Sequence, residues 1–376
     1  MRYLSLFSGV GGFELGIQQA YELYNQSQNE GLQIKDNSTS IDSINVQRTA
    51  CCIGYSEIDK YAIQIYNKHF NHKNYGDITK INEKTLPDFD LLVGGFPCQS
   101  FSIAGKRGGF ADTRGTLFFE IARIIREKQP RLLLLENVKG LLSHDKGATF
   151  TTIISTLDEL GYDCQWQVLN SKNHGVPQNR ERVFIVGHLR GTSRPEVFPF
   201  GGGNTKALKQ IIGGGQGNRV YDTQGISTTI ASQAGGQGAK TGLYAMRWQR
   251  TEKGKQARRE SQKKGKDYTP FSEGHREVVP VEGKPVGALT AQAIAKDSLI
   301  GNDMQIRRLT PTECERLQGF PDGWTKTGLA FEGKFDINMD LDGNFRNIEI
   351  SDSQRYKVLG NAVTVNVIKE IMLKLL

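Results

Sequence analysis

A cysteine closes one short apolar run, Leu91-Leu92-Val93-Gly94-Gly95-Phe96-Pro97-Cys98. The run has the length of a buried strand, and Gly-Gly punctuates its end. Pro97 fixes φ and withholds a backbone donor just before the thiol. Ligands sit at the carboxyl ends of strands in open α/β sheets, so Cys98 has the placement of a nucleophile. The plainer alternative is a packed small hydrophobe. A second run, Leu132 to Leu135, leads into Glu136-Asn137-Val138 and puts a carboxyl group at another strand end. Two arginines, Arg180 and Arg182, stand at the head of a third run that continues to Gly187.

A second constellation suits a nucleoside. Phe7-Ser8-Gly9-Val10-Gly11-Gly12-Phe13-Glu14 follows an apolar segment and opens a helix. It carries the first two glycines of a dinucleotide fingerprint, but Glu14 stands where the third would allow close helix packing, which weakens a pyrophosphate reading. Glu57 follows the second strand-like segment, where a carboxylate can accept from both ribose hydroxyls. Asp77 either takes an exocyclic adenine amine or merely caps a turn, and Asp59 reads equally well as a helix N-cap. The set suggests a nucleoside without a pyrophosphate, and S-adenosylmethionine fits that description.

These residues need a scaffold, and the order of segments supplies one. Strand-like segments at Tyr3–Phe7, Ala50–Ser56, Leu91–Gly95, Leu132–Leu135 and Arg182–Gly187 alternate with helical ones through Tyr24, from Lys60 to His69, from Thr116 to Lys128 and from Gly147 to Gly161. That βαβα order predicts a doubly wound, mainly parallel sheet with helices on both faces. Residues Asn25 to Gln47 are polar and read as a loop insertion. After His188, glycine clusters break up short polar or β-branched segments, which predicts a smaller, irregular, β-rich domain. Thr310-Pro311 then opens a helix to Gln318, and a final helix is expected from Gly360 to Leu376. The expected division is 1–187 and 307–376 for a discontinuous catalytic domain, with 188–306 between them.

The chain has 376 residues, 43 glycines, five cysteines without CxxC spacing and a formal net charge of +8. No apolar run of membrane-spanning length and no signal-peptide pattern is present. A disulfide framework and a metal site are not expected, and a reducing cytoplasm is the expected location. Between Ala245 and Tyr268 nine lysines and arginines face three carboxylates, so most of the positive excess lies in one segment. It is either a solvated face or a contact for phosphates.

The stretches FSGVGGFELG, YSEIDKYA, GDIT, GGFPCQSFS, ENVKGL, QNRERVFIVG, RRLTPTECERLQGFP and LGNAVTVNVI, in this order, closely resemble the motifs of the DNA cytosine-5 methyltransferases, particularly those of prokaryotic type II restriction-modification systems. The resemblance implies a Rossmann-like, S-adenosylmethionine-dependent methyltransferase domain and a small target-recognition domain, with double-stranded DNA in the cleft between them. It implies that Cys98 is the nucleophile, that Glu136 contacts cytosine N3 while holding a proton, which burial at a strand end would favour, and that Arg180 and Arg182 are the arginines of a QxRxR motif, Arg182 being the candidate guanidinium that favours the thiolate. Phe7, Gly9, Gly11, Gly12, Glu57, Ile58, Asp77, Ile78, Pro97, Asn361 and Val363 then fall on cofactor positions. Gln99, Ser100, Gln216, Arg219, Thr229, Gly235 and Gly236 fall on DNA-contacting ones: Gln216 a gap filler, Arg219 a guanine reader and Thr229 a phosphate anchor. Gly105 to Phe110 would form a lid.

The implied chemistry is thiolate addition to C6 of a flipped cytosine, which makes C5 a nucleophile toward a sulfonium methyl group. The group that removes the C5 proton is left unassigned. A monomer acting on DNA is expected, with a cognate restriction endonuclease as a possible companion at the same site rather than a bound subunit. The alternative is a tRNA cytosine-5 methyltransferase, against which the long Gly-rich and basic region argues.

Overall fold

The computed structural model describes residues 1–33, 47–97, 117–200, 309–331 and 345–376, together with six short strands and residues 256 and 260 between positions 210 and 307. A six-stranded sheet is built from β1 (Arg2–Leu6), β2 (Cys51–Ser56), β3 (Leu91–Gly95), β4 (Leu132–Val138), β5 (Tyr162–Asn170) and, after the two-residue β6 (Gln178–Asn179), β7 (Glu181–Leu189), in the order β2-β1-β3-β4-β7-β5. The first four strands pair in parallel, while β7 runs antiparallel to both β4 and β5. The helices are α1 (Gly12–Gln33), α2 (Lys60–His69), α3 (Leu117–Lys128), α4 (Ala148–Glu159), α5 (Pro311–Leu317), α6 (Asp352–Asn361) and α7 (Val365–Leu375).

Side chains alternate across a strand, and each strand divides its residues between two cores. Tyr3, Leu91, Val93, Leu132, Leu134, Phe184 and Val186 pack with Phe13 and Ile17 of α1 and Val367, Ile368 and Ile371 of α7. Leu4, Leu6, Leu92, Leu133, Leu135, Val183 and Ile185 pack on the other face with Phe118, Ile121 and Ile125 of α3 and Ile153 and Leu157 of α4. The four leucines of β4 are fully buried, and each such burial contributes roughly 1.5–3 kcal/mol. That run therefore anchors the sheet centre and holds Glu136 at its end.

The expected doubly wound sheet is present, with four differences from the expected elements. Strand β5 was not expected, although YDCQWQVLN does alternate, with Tyr162, Cys164, Trp166 and Val168 on one face and Asp163, Gln165 and Gln167 on the other; it lies at the sheet edge, and its second face is polar. Gln165 and Gln167 of β5 spend their side-chain amides on the backbone at Pro195, Val197 and Phe200. Helix α1 continues beyond Tyr24 to Gln33, through a tail in which Gln and Glu favour helix while Asn25, Ser27, Asn29 and Gly31 do not, so propensity alone did not mark the extension. The segment expected as one helix from Gly360 is two: α6 ends at Asn361, Ala362 is extended, and α7 begins at Val365. Finally, the Arg182–Gly187 run is part of an antiparallel strand, with consequences for the site. Helix α5 begins as expected, with Thr310 and Glu313 forming a capping box.

Between residues 210 and 307, β8 (Gln210–Ile212), β9 (Val220–Asp222), β11 (Leu243–Arg250), β12 (Arg276–Pro280) and β13 (Met304–Arg307) form a separate five-stranded sheet. The short β10 (Ser227–Thr228) instead pairs in parallel with β6. A further hairpin joins β14 (Thr327–Phe331) to β15 (Phe345–Glu349). Among the described residues no helix is long and apolar enough to cross a membrane, and no cluster of metal-binding side chains occurs.

Candidate active site and cofactor pocket

Register brings the candidate residues to one edge of the sheet. Leu6 lies opposite both Ser56 and Gly94, and Gly94 lies opposite Leu135. The carboxyl ends of β1, β2, β3 and β4 are therefore level, and Phe7, Glu57, Phe96-Pro97 and Glu136 emerge side by side. Because β7 is antiparallel, its amino end reaches this same edge. A parallel β7 would have carried Arg180 and Arg182 to the opposite one.

Glu136 shares strand parity with Leu132 and Leu134, and Arg182 with Phe184 and Val186, so both point to the face covered by α1 and α7. Glu136 lies opposite Phe184 and Val138 opposite Arg182, which makes Glu136 and Arg182 diagonal neighbours. The Arg182 Nε lies 3.1 Å from the Glu136 Oε1, with both side chains mostly buried. Burial pushes the Glu136 carboxyl above its ordinary range, while the charges of Arg182 and Arg180 pull it back. The net upward shift favours the protonated carboxyl, the form that can give a proton to a base. Gly95 lies opposite Glu136, and a Cβ there would stand 3.1 Å from the Glu136 Oε2. The missing side chain leaves room for the carboxyl.

Arg180 is placed differently. It is buried, and its Nη2 donates to the carbonyls of Gly360 and Ala362 at 3.1 and 2.9 Å. Burial and the charge of Arg182 lower its pKa to about 9. It clamps the break between α6 and α7, the segment that carries Asn361 and Val363. Gln318 supports the same break through Nε2 to the Leu359 carbonyl at 2.8 Å, and Thr364 donates to the Gln318 Oε1 at 2.8 Å.

The Gly-rich turn lies beside this edge. Gly9 has φ +56°, and no atom stands within 4 Å of where its Cβ would be. Backbone can thus approach a ligand there. Gly11 and Gly12 do other work: a Cβ at Gly11 would meet the Phe70 ring at 2.4 Å, and one at Gly12 would meet Val363 at 2.8 Å. The close helix packing expected of a third fingerprint glycine falls to Gly16, whose Cβ would lie 2.7 Å from Ile368 of α7. Glu14 is buried, takes a 3.0 Å hydrogen bond from the Tyr66 hydroxyl, and has its pKa raised by burial to about 7.

Glu57 accepts the Gly9 N–H at 2.9 Å on one oxygen and the N–H groups of Ile58 and Asp59, each at 2.8 Å, on the other. A carboxylate retains lone pairs for further donors after three such bonds. Ile58 beside it is 63% exposed, an apolar surface that a flat ring would cover. Asp59 is the N-cap of α2. Asp77 caps a short turn through Oδ1, and its Oδ2 has no protein partner among the described residues. Ile78 is buried beneath it, Asn361 is exposed, and Phe7 holds a left-handed backbone, φ 56°, where the chain leaves β1. Open space at Gly9, an exposed Ile58 and acceptors on Glu57 and Asp77 fit a nucleoside donor without a pyrophosphate.

Pro97 is exposed at the edge. Cys98, Gln99 and Ser100 lie outside the described residues, as do the 105–110 loop, Gln216, Arg219, Thr229, Gly235 and Gly236. The relation of Arg182 to the thiol lies outside them too; within them, Arg182 is committed to Glu136. Asn137 was given no role by sequence reasoning. Its Nδ2 donates to the Phe96 carbonyl at 2.9 Å, tying the end of β4 to the backbone two residues before Cys98. Its place next to Glu136 in the ENV stretch was the available signal.

A doubly wound sheet with one antiparallel strand, a glycine turn after β1 and a carboxyl–guanidinium pair at the same edge define a Rossmann-like, S-adenosylmethionine-dependent methyltransferase fold. The sequence model of C-5 cytosine-specific DNA methylases matches residues 1–376, and the chain belongs to that family. It is 36% identical over 380 residues to the type II methyltransferase M1.ScrFI of Lactococcus lactis subsp. cremoris, covering 100% of this chain and 78% of that protein. It is 31% identical over 412 residues to the type II methyltransferase M.HhaI of Haemophilus parahaemolyticus, covering 99% and 93%. A crystal structure of Spodoptera frugiperda DNMT2 shares the fold, with a TM-score of 0.56 at 17% identity over 99% of each chain. The chain is therefore a DNA (cytosine-5)-methyltransferase.

Proposed function

We propose that this chain is a restriction-modification type methyltransferase that modifies C5 of a cytosine turned out of duplex DNA, through a transient bond between the Cys98 sulfur and C6. The observation that carries the reading is the buried Glu136–Arg182 pair, set level with the exposed exit of β3 toward Cys98. The Cys98 thiolate adds to C6 as Glu136 gives its proton to N3, so the ring gains electron density at C5 without building up charge. Arg182 holds the Glu136 carboxyl in place, and Asn137 holds the backbone that delivers the thiol. S-Adenosylmethionine, when bound, supplies an electrophilic methyl group on a sulfonium sulfur. Phe7, Gly9, Glu57, Ile58, Asp77, Ile78, Pro97, Asn361 and Val363 would hold it, with Gly11 and Gly12 shaping the turn. Loss of the C5 proton, departure of the thiolate and return of the N3 proton to the Glu136 carboxylate then restore the neutral aromatic ring.

In this reading residues 1–187 and 307–376 are the catalytic part and 188–306 recognise the target. The pairing of β10 with β6 supports it, because Thr229 directly follows β10 and Arg180 directly follows β6. The enzyme works as a monomer on DNA, whether or not an endonuclease shares its site. Bisulfite sequencing of DNA from cells expressing the chain tests the proposal. Protected cytosines confined to one short sequence are expected. Unprotected DNA, with methyl labelling of tRNA alone, would overturn it.

A further inference from the structure

The segment from Thr310 to Trp324 has no part in the chemistry above, yet it reaches the Gly-rich turn. The Trp324 Nε1 donates to the carbonyl of Val10 at 2.9 Å. Val10 is fully buried and precedes α1. On the other side of the same turn, the Gly9 N–H is held by Glu57. The Ser8 N–H also reaches the Ser56 carbonyl at 3.3 Å and the Gly11 N–H the Ser8 carbonyl at 3.1 Å, so Trp324 adds a tie from α5's segment to a turn otherwise held by β2, Glu57 and its own backbone.

Trp324 is itself fixed from several directions. Glu315 of α5 is fully buried, and its two oxygens accept the N–H groups on either side of Trp324, Gly323 at 2.7 Å and Thr325 at 2.8 Å. Arg355 of α6 pairs with the same carboxylate at 3.1 Å. The Trp324 carbonyl accepts from the His69 Nε2 at 2.8 Å, and the His69 ring stacks on the indole at 3.5 Å between centroids and 4° between planes. Phe70, next in the chain, supports Gly11 from below. A buried ion pair on α5 and α6 therefore sets the height of one indole, and that indole sets the carbonyl of the turn.

We infer that Trp324 is a positioning residue for the cofactor turn, holding Val10 so that the Gly9 backbone faces the S-adenosylmethionine pocket. The inference rests on reading that pocket as the cofactor site. Trp324→Phe keeps the aromatic stack and removes only the N–H donor. Losing one buried hydrogen bond should raise the dissociation constant of S-adenosylhomocysteine, measured by calorimetry, about tenfold. The KM for S-adenosylmethionine should rise similarly, with kcat and the KM for DNA within twofold. A general loss of structure would instead move all of these together with the melting temperature.

Glu57→Ala, measured alongside, separates the two levels of the argument. If Glu57→Ala weakens S-adenosylhomocysteine and Trp324→Phe binds within twofold of the parent, the role of Trp324 is refuted and the pocket stands. If Glu57→Ala binds as well as the parent, the pocket assignment itself fails. Should Trp324→Phe not fold, a Trp166→Phe, Trp248→Phe double variant leaves Trp324 as the only one of the chain's three tryptophans. Its emission should change and saturate as S-adenosylhomocysteine binds. Constant emission, with binding seen by calorimetry, would refute the inference.

Discussion

Glu57 and Glu136 stand at the carboxyl edge of one sheet, following β2 and ending the core of β4, and burial raises both carboxyl pKa values. Their counterweights differ. Three backbone N–H groups oppose the rise at Glu57, and all three belong to the turn and helix start that it organises. At Glu136 the opposition comes from the charges of Arg182 and Arg180, with one side-chain contact to Arg182 and an open position over Gly95. Backbone donors fix a geometry that protonation would disturb. A guanidinium tunes a proton affinity and leaves an oxygen free for a substrate. On the proposed mechanism the same residue type is a fixed acceptor in the cofactor half of the edge and a proton carrier in the reaction half.

Removing the proposed proton carrier should have the largest effect. Glu136→Gln is expected to lower methyl transfer to DNA about 10²- to 10⁴-fold, the usual range for a general acid, while S-adenosylhomocysteine affinity stays within twofold. Equal losses in both would erase the distinction between the two carboxylates. Glu57→Ala should show the reverse pattern: S-adenosylhomocysteine affinity falls about 10- to 100-fold, as expected for losing charge-assisted hydrogen bonds, and the rate at saturating cofactor changes much less.

Arg182→Gln sharpens the comparison through pH. On the proposed mechanism the rate requires a proton on Glu136, so it should fall as pH rises through that group's pKa. Arg182 holds that pKa down, and its removal should move the alkaline fall to higher pH, with a smaller rate loss than Glu136→Gln. A pH profile that keeps its position would detach Arg182 from Glu136 in the working enzyme.

The smallest effect on rate is expected at Glu14, a buried carboxyl with no place in the chemistry. Its pKa in the folded protein is raised from 4.5 to about 7, so the native state binds a proton that the unfolded chain has released between those values. Stability from this group is full below about pH 4.5 and lost as pH rises to about 7, on the order of 3 kcal/mol. Glu14→Gln should flatten that part of the stability curve in denaturant titrations at pH 5 and pH 8. An unchanged difference between the two pH values would assign the dependence to other groups.

The strand ends were legible because they needed only local signals. The apolar runs before Cys98 and Glu136, the glycines after Leu6 and the cap at Thr310 each carry their pattern within a few residues. What stayed hidden depends on pairing at a distance. Nothing local in RVFIVG says that β7 runs antiparallel, and that direction is what delivers Arg182 to Glu136. The indole of Trp324 reaches Val10 across more than three hundred residues of chain. Asn137 and Gly16 likewise gain their meaning from neighbours on other elements, Phe96 and Ile368. Strand β5 was missed although its apolar and polar residues alternate, because Asp163, Gln165 and Gln167 make the segment polar overall and the backbone partners of the two glutamines, at Pro195, Val197 and Phe200, lie outside it.

Covalent trapping bears most directly on the central claim. A duplex with 5-fluorocytosine at the cytosine identified by bisulfite sequencing is incubated with enzyme and S-adenosylmethionine, then run on a denaturing gel. Fluorine at C5 cannot leave as a proton does, so the parent enzyme should remain bonded to the DNA and Cys98→Ala should not. Methylation of the unfluorinated duplex with no adduct on the fluorinated one would contradict the account.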